Sequence, residues 1–240
     1  MGYIFAHLHT GEEVLKILNY ETRSRRVYNF GAVGPDFTYA YNPETEKLLH
    51  DDRAIDLADF LLANATNESL DYALGYATHI ISDIEMYPVI MKYAGGDFEK
   101  YIKLSIIFDF LLAKNVYKTS IEKINLASKV SIGKNLPESI QTLFEDGVSK
   151  IYGFKFDVNN SYKKFISFLE FTYDPFLIKR MFYPVVNLVL KINLFNLTYP
   201  MRVSERKYEK FYSETLEAMN RGIKESAAYI LVRKPHLSSP

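Results

Sequence analysis

The chain of 240 residues contains no cysteine and no tryptophan. Without cysteine, disulfides and thiolate zinc sites are excluded, so any metal ion must be bound by nitrogen and oxygen ligands. Only five histidines are present, and four of them precede residue 115. Excess positive charge is also lacking, because 29 basic residues balance 29 acidic ones. Proteins that bind duplex nucleic acid usually have a basic surface, so we expect this chain not to bind it.

A secretory signal and a long hydrophobic run are also lacking. Residues 1–7 have no basic start or apolar run of sufficient length, so we expect a cytoplasmic protein. The longest apolar stretch, residues 181–200, is interrupted by Pro184, Lys191 and three asparagines. This favours a buried or interfacial helix over a membrane span, and such a helix would allow peripheral contact with a membrane.

Apolar residues recur mainly at spacings of three and four, which predicts an all-α fold. We predict a first helix over 11–20 with Ile17 in its buried stripe, then a long loop over 22–41. Further helices are predicted to begin at Asp51 or Asp52, near 67–69, and at Asp97. Pro88 is expected to bend or end the helix that contains it. The remaining helical stretches are predicted at 118–129, 137–152, 159–172, 174–196 and 204–232.

This length allows one large core, so we predict a single continuous domain. Within it, residues 1–115 form a helical core that contains the candidate site, and residues 116–240 form a helical C-terminal part packed on that core. The second part is rich in Lys, Phe and Tyr, and its sequence indicates helices without indicating a function.

The segment 73–84 is the most informative in the chain. His79 and Asp83 are four residues apart in a helix that is otherwise nearly all apolar, so both point the same way from a buried element. Burying two such groups without partners is costly, and a metal ion is one way to compensate them. The alternative is a hydrogen-bonded His/Asp pair with a purely structural role.

Three other residues are candidates to join this pair. Asp36 follows two glycines and a proline, which predicts a tight turn that presents one carboxylate. His50 directly precedes a predicted helix start, and His7 precedes the first predicted helix. Taken singly, Asp36 is equally compatible with a loop cap, and His50 with a solvent-facing histidine. His7 is equally compatible with an ordinary core or surface histidine.

In order and local context, these residues resemble the ligands of the zinc-dependent phospholipase C family. That family has an N-terminal His that opens a helix, a Gly-x-x-x-Pro-Asp loop, a His at a helix start, and His-x-x-x-Asp on a buried helix. The resemblance covers about the first 90 residues, in which the matching positions are His7, Asp36, His50, His79 and Asp83. It implies a multi-helical single domain, shared with the fungal single-strand-specific nucleases, with additional C-terminal helices here. It also makes Asp36 the candidate general base.

Two imidazoles and two carboxylates suit zinc or manganese with one open position for water. His7 beside Asp83 is placed to hold a second ion, with Asp83 bridging. The segment 85–90 lacks the histidine that helps to hold a third zinc in the secreted relatives, so we predict one or two zinc ions. His9 is an alternative to His7. Glu209 resembles the closing ligand of the family but is expected on an exposed charged helix.

The resemblance implies a zinc-dependent phosphoester hydrolase, with a phospholipid head group or another phosphoester as substrate. Two alternatives remain open at the level of the sequence. One is a hydrolase similar to the single-strand nucleases, and the other is a non-catalytic scaffold that a metal ion stabilises.

Overall fold

The computed structural model describes residues 3–39, 42–51, 53–172 and 203–238. These ranges contain ten α-helices and three short 3-10 helices, without a strand, which confirms the predicted all-α fold. The α-helices are α1 (Ile4–Leu18), α2 (Arg25–Val33), α3 (Pro43–Leu49), α4 (Ala54–Asn64), α5 (Leu70–Ala94), α6 (Phe98–Asn115), α7 (Leu126–Val130), α8 (Glu138–Tyr152), α9 (Val158–Thr172) and α10 (Glu205–Arg233). The 3-10 helices are Gly34–Thr38, Ile121–Lys123 and Pro235–Ser238.

Among the described helices, none combines the length and the apolar character that a membrane span requires. The helical stretch predicted at 174–196 and the apolar stretch at 181–200 lie outside the described residues.

Helix α5 lies at the centre of the fold and packs most extensively against α2 and α10. Its first half is enclosed by the fold, because every residue from 71 to 82 is buried. The crossing with α2 is close: a Cβ on Gly31 would lie 2.2 Å from the carbonyl oxygen of Tyr72, and one on Gly75 would lie 2.2 Å from that of Tyr28. Only glycine permits this approach, which brings α2 against the first turns of α5.

Helix α1 is fixed to the core at its start and at its middle. At its start, the carboxylate of Asp109 on α6 accepts hydrogen bonds from the backbone N–H groups of Phe5 (3.0 Å) and Ala6 (2.8 Å). These are two of the donors that a helix start leaves without an internal partner. Further along, the Tyr28 hydroxyl donates to the carbonyl oxygen of Gly11 and lies 3.1 Å from the hydroxyl of Thr78. The first turn of α1 therefore has a defined position over α5.

The structure corrects the predicted N-terminal elements. Helix α1 begins at Ile4 rather than near Gly11, and Ile17 is exposed rather than buried. The predicted loop over 22–41 contains α2 and a 3-10 helix. Ser24 caps α2 by accepting from the N–H of Val27, and Gly31, a loop signal in the sequence, serves the close helix crossing.

The region around His50 also differs from the prediction. Helix α3 was not predicted, although Asn42 caps it and Pro43 occupies its first position, both of which favour a helix start. His50 lies at the C-terminal end of α3 instead of at a helix start. The next helix begins at Ala54, so the predicted start at Asp51 or Asp52 is wrong; Asp51 accepts from the N–H of Arg53 within the connecting turn.

Later helices agree better with the sequence. Helix α5 begins at Leu70 and α6 is capped by Asp97, as predicted, and α8, α9 and α10 lie within two residues of their expected bounds. An end at Pro88 is wrong, because α5 continues to Ala94; Pro88 lies on the exposed side, where water can satisfy the carbonyl that loses its helical donor. The stretch 118–129 is a 3-10 turn followed by the short α7 rather than one helix.

Candidate metal centre

The five candidate residues, which the sequence spreads over 77 positions, meet at one place in the fold. We call them the His/Asp cluster: His7, Asp36, His50, His79 and Asp83. His7 comes from the first turn of α1, Asp36 from the 3-10 helix after α2, and His50 from the end of α3. His79 and Asp83 lie one turn apart on α5. Their ligand atoms form two overlapping groups, in each of which all atoms lie within 4.8 Å of one another.

The Nε2 atom of His50 lies at the middle of one group. It is 3.4 Å from Oδ1 of Asp36, 3.7 Å from Oδ2 of Asp83 and 3.1 Å from Nε2 of His79. Nε2 of His79 is in turn 3.5 Å from Oδ2 of Asp83. Two nitrogen and two oxygen donors therefore face one another across a space of a few ångströms.

Backbone carbonyls orient both of these imidazoles. Nδ1 of His79 lies 3.1 Å from the carbonyl oxygen of Ala32, and Nδ1 of His50 lies 2.7 Å from that of Glu46. Because a carbonyl oxygen only accepts, each Nδ1 carries a hydrogen, and in the neutral rings the two Nε2 lone pairs point at each other over 3.1 Å. A proton on Nε2 of His50 makes this contact a hydrogen bond, and a metal cation bound by both nitrogens would take the place of that proton. Carbonyl-bound histidines are typical of metal sites.

Gly34 allows the Asp36 turn to lie directly against His79. Its φ is +57°, and a Cβ at this position would lie 2.3 Å from Cγ of His79. Pro35 then fixes the first turn of the 3-10 helix, which places Asp36 beside His50. The Gly-Pro-Asp sequence therefore positions the carboxylate of Asp36 at one side of the cluster.

Burial and charge set the protonation of the cluster. Burial lowers the pKa of His79, and burial together with the neighbouring His79 lowers the pKa of His7 well below its usual value. Burial also raises the pKa of Asp83. Burial also lowers the pKa of His50, but the hydrogen bond to Asp36 and the negative charge of Asp36 outweigh burial and raise that pKa to about 9. His7 and His79 are therefore held neutral, the form in which histidine binds a metal.

One edge of the cluster reaches solvent. The side chains of His50 and Asp83 are 22% and 15% exposed, whereas those of His7, Asp36 and His79 are exposed by at most 5%. A small molecule would therefore approach the donor atoms from the side of His50 and Asp83.

Two buried groups support the cluster and were not predicted: the pair of Tyr3 and Tyr101, and Asp109. The Tyr3 hydroxyl donates to Oδ1 of Asp83 at 2.7 Å, and the Tyr101 hydroxyl donates to the oxygen of Tyr3 at 3.4 Å. Burial raises the pKa of Tyr3 well above its usual value, so its hydroxyl stays protonated. The other is Asp109, which fixes the start of α1. A lone carboxylate in the apolar run 106–113 was the available signal for Asp109, whereas nothing local marks Tyr3.

The two alternative ligands lie elsewhere. Nδ1 of His9 is 2.8 Å from the hydroxyl of Tyr117, and His9 belongs to neither ligand group. Glu209 is exposed on α10, as expected for a charged helix surface.

The convergent nitrogen and oxygen donors fit a zinc ion, and the all-α architecture with this cluster defines a candidate metalloprotein. A family model described as zinc-dependent phospholipase C matches residues 6–154, which is more than half of the chain. The chain therefore belongs to the zinc-dependent phospholipase C family. Membership confirms the predicted fold type and supports a metal-dependent hydrolase that uses zinc. Neither the curated proteins nor the solved structures yielded a match.

Proposed function

We propose that the chain is a zinc-dependent phosphoester hydrolase. The observation that carries this proposal is the pair of Nε2 atoms of His50 and His79, 3.1 Å apart, whose rings are oriented by backbone carbonyls. A divalent cation would take the place of the proton that Nε2 of His50 carries in the metal-free chain, and the carboxylates of Asp36 and Asp83 would balance its charge. The ligands we propose for this ion are Asp36, His50, His79 and Asp83.

His7 offers a position for a second ion. Its Nε2 lies 3.4 Å from Oδ1 of Asp83, and His7, His79 and Asp83 form the second ligand group. With Asp83 between the two positions, the residues suit one or two zinc ions.

Zinc held by these residues would act as a Lewis acid toward a phosphoryl oxygen and lower the pKa of a water nucleophile. Asp36 is the general base in this proposal. Burial opposes its ionisation, but the hydrogen bond and the positive charge of His50 hold its pKa below the usual range. Its carboxylate is thus ionised at neutral pH, ready to accept a proton from water that attacks phosphorus.

The substrate class follows from the family and from exposed apolar side chains that follow Asp83 on α5 and begin α6. There are three of these, and we call them the apolar rim: Ile84, Tyr87 and Phe98. Tyr87 and Phe98 pack on Tyr101, which contacts Tyr3 at the cluster. Exposed aromatic side chains favour the interface between water and lipid. A phospholipid head group is therefore the substrate we propose, with peripheral contact at the membrane.

The test measures metal and turnover in the same preparations. We expect the purified full chain to contain zinc and to hydrolyse para-nitrophenylphosphocholine, with activity lost in chelator and regained with zinc. His79→Ala and Asp83→Asn should each lower both the zinc content and the turnover, because each removes a ligand. His9→Ala is the matched control, since His9 bonds only to Tyr117 among its described hydrogen-bond partners and should retain both.

Wild-type zinc content in both His79→Ala and Asp83→Asn would refute the ligand assignment. A chain that binds zinc and melts at lower temperature in chelator, yet turns over neither this substrate nor single-stranded nucleic acid, would instead be a metal-stabilised scaffold. Turnover of single-stranded nucleic acid alone would identify the nuclease-like alternative.

A further inference from the structure

One oxygen of Asp83 already has a strong hydrogen-bond donor. The Tyr3 hydroxyl lies 2.7 Å from Oδ1 and is fully buried, while Oδ2 of the same carboxylate faces His50 and His79. Tyr101 extends this contact by donating to Tyr3. The two oxygens of Asp83 therefore have different surroundings: Oδ2 faces the candidate ligands, and Oδ1 faces a hydroxyl proton.

His7, which faces the same Oδ1, is not oriented as the other two imidazoles are. Nδ1 of His50 and of His79 each donates to a backbone carbonyl, whereas Nδ1 of His7 is buried without a hydrogen-bond partner among the described residues. The His7 ring instead contacts two tilted rings, that of His79 with centroids 3.9 Å apart and that of Tyr3 with centroids 4.7 Å apart. A ligand histidine is normally fixed through its second nitrogen, and His7 lacks this feature.

We propose that Tyr3 is a positioning residue that makes the centre selective for a single zinc ion. Its hydroxyl holds Asp83 with Oδ2 toward His50 and His79, and its proton at Oδ1 opposes a second cation beside His7. This inference rests on the proposed function, because it concerns the occupancy of the same site. It narrows the expected number of ions from one or two to one.

The substitution Tyr3→Phe removes the hydroxyl and keeps the buried ring. Losing a hydrogen bond that orients a ligand typically weakens metal binding about 10- to 100-fold, so we expect the first ion to bind that much less tightly. Oδ1 then becomes free of its donor, and a second, weaker zinc is expected with His7. In the double variant Tyr3→Phe with His7→Ala, this second ion should disappear.

The experiment is a calorimetric titration of the metal-free full chain with zinc chloride. Wild type should bind one ion, and His7→Ala should also bind one with affinity within about threefold of wild type. The matched control for Tyr3→Phe is Tyr72→Phe, which changes another fully buried tyrosine whose hydroxyl lacks a described partner. It should retain wild-type affinity and stoichiometry.

The outcomes that contradict these expectations refute either the role of Tyr3 or the proposed function. Two tight ions in wild type, loss of the ion in His7→Ala, or identical titrations of Tyr3→Phe and Tyr72→Phe would each refute the role of Tyr3 while leaving the zinc-dependent function intact. Because the first two do not involve Tyr3→Phe, they remain decisive if that variant does not fold. Absence of zinc binding by wild type would instead refute the proposed function.

Discussion

Gly34 lies where the Asp36 turn touches the ring of His79, and it leaves no room for a side chain. A Cβ would lie 2.3 Å from Cγ of His79, and the positive φ of +57° is unfavourable for other residues. We predict that Gly34→Ala displaces the turn, lowers stability by roughly 1–3 kcal/mol as overpacking does, and weakens zinc binding at least about tenfold. Chemical denaturation and a zinc titration measure the two effects.

Gly95→Ala is the control for the backbone contribution. Gly95, at the end of α5, also has a positive φ, +66°, but a Cβ added there would meet nothing within 4 Å. It should lose some stability and keep wild-type zinc affinity. Equal zinc affinity in the two alanine variants would show that the contact between Gly34 and His79 does not shape the site.

The residues of the cluster differ in how far the sequence could predict them. His79 and Asp83 were predictable, because a spacing of four places both on one side of a helix whose other residues are apolar. Tyr3 was not, because it is 80 positions from Asp83 and its contact exists only through the packing of α1 on α5. Asp36 and His50 lie between these cases: the resemblance to a family singled them out, whereas their local sequence alone did not.

At the scale of elements, the start of α1 depends on the carboxyl group of Asp109 on α6. Burial raises the pKa of Asp109 from 3.8 to about 8, although the N–H groups of Phe5 and Ala6 act in the opposite direction. The folded chain therefore keeps a proton that the unfolded chain releases above pH 3.8. Stability from this group is fully present below that pH and is lost as the pH rises toward about 8.

We predict that Asp109→Asn flattens this part of the pH profile. The amide has no proton to release, so the free energy of unfolding should lose a slope of at most about 1.4 kcal/mol per pH unit between pH 4 and 8. Urea denaturation in chelator, for wild type and variant alike, measures the slope without metal binding. The control is Asp97→Asn, which changes the exposed cap of α6. The hydrogen bond from the backbone N–H of Lys100 lowers the pKa of Asp97, so this variant should leave the slope between pH 4 and 8 unchanged. A wild-type slope in Asp109→Asn would contradict the prediction.

Helix α6 and the start of α5 were predictable because apolar periodicity agrees with the signals for a helix start, whereas the end of α5 was not, because Pro88 lies inside the helix. Helix α2 was not, because Gly31 weakens helix propensity in the sequence but allows the contact with Gly75 that stabilises the helix in the fold. The missing side chain of Gly31 therefore suggests a loop when the sequence is considered alone, whereas in the fold it allows α2 and α5 to pack closely. His50 was misplaced for a related reason: α3 is short, and its caps Asn42 and Pro43 resemble turn residues.

At the scale of the whole molecule, the open edge of the cluster and the apolar rim occur on adjacent positions. Asp83 is partly exposed and Ile84 follows it, while Tyr87 lies one turn further along α5. Phe98 begins α6 and stacks on Tyr101, 5.6 Å between ring centroids. Because residues four apart share a face of a helix, a lipid surface that contacts Tyr87 would lie on the same side of α5 as Asp83.

We predict that replacing both aromatic rim residues, Tyr87→Ser with Phe98→Ser, weakens binding to phosphatidylcholine vesicles. Each exposed ring that enters the interface contributes on the order of 1–2 kcal/mol, so the double variant should bind at least about tenfold less in a flotation assay. Hydrolysis of soluble para-nitrophenylphosphocholine should be unchanged, because neither ring belongs to the proposed ligand set. Val232→Ser is the control: Val232 is more exposed than any rim residue, but lies at the end of α10 beside Asp59. If both variants float with vesicles as wild type does, the rim does not orient the molecule on lipid, and the substrate must reach the cluster from solution.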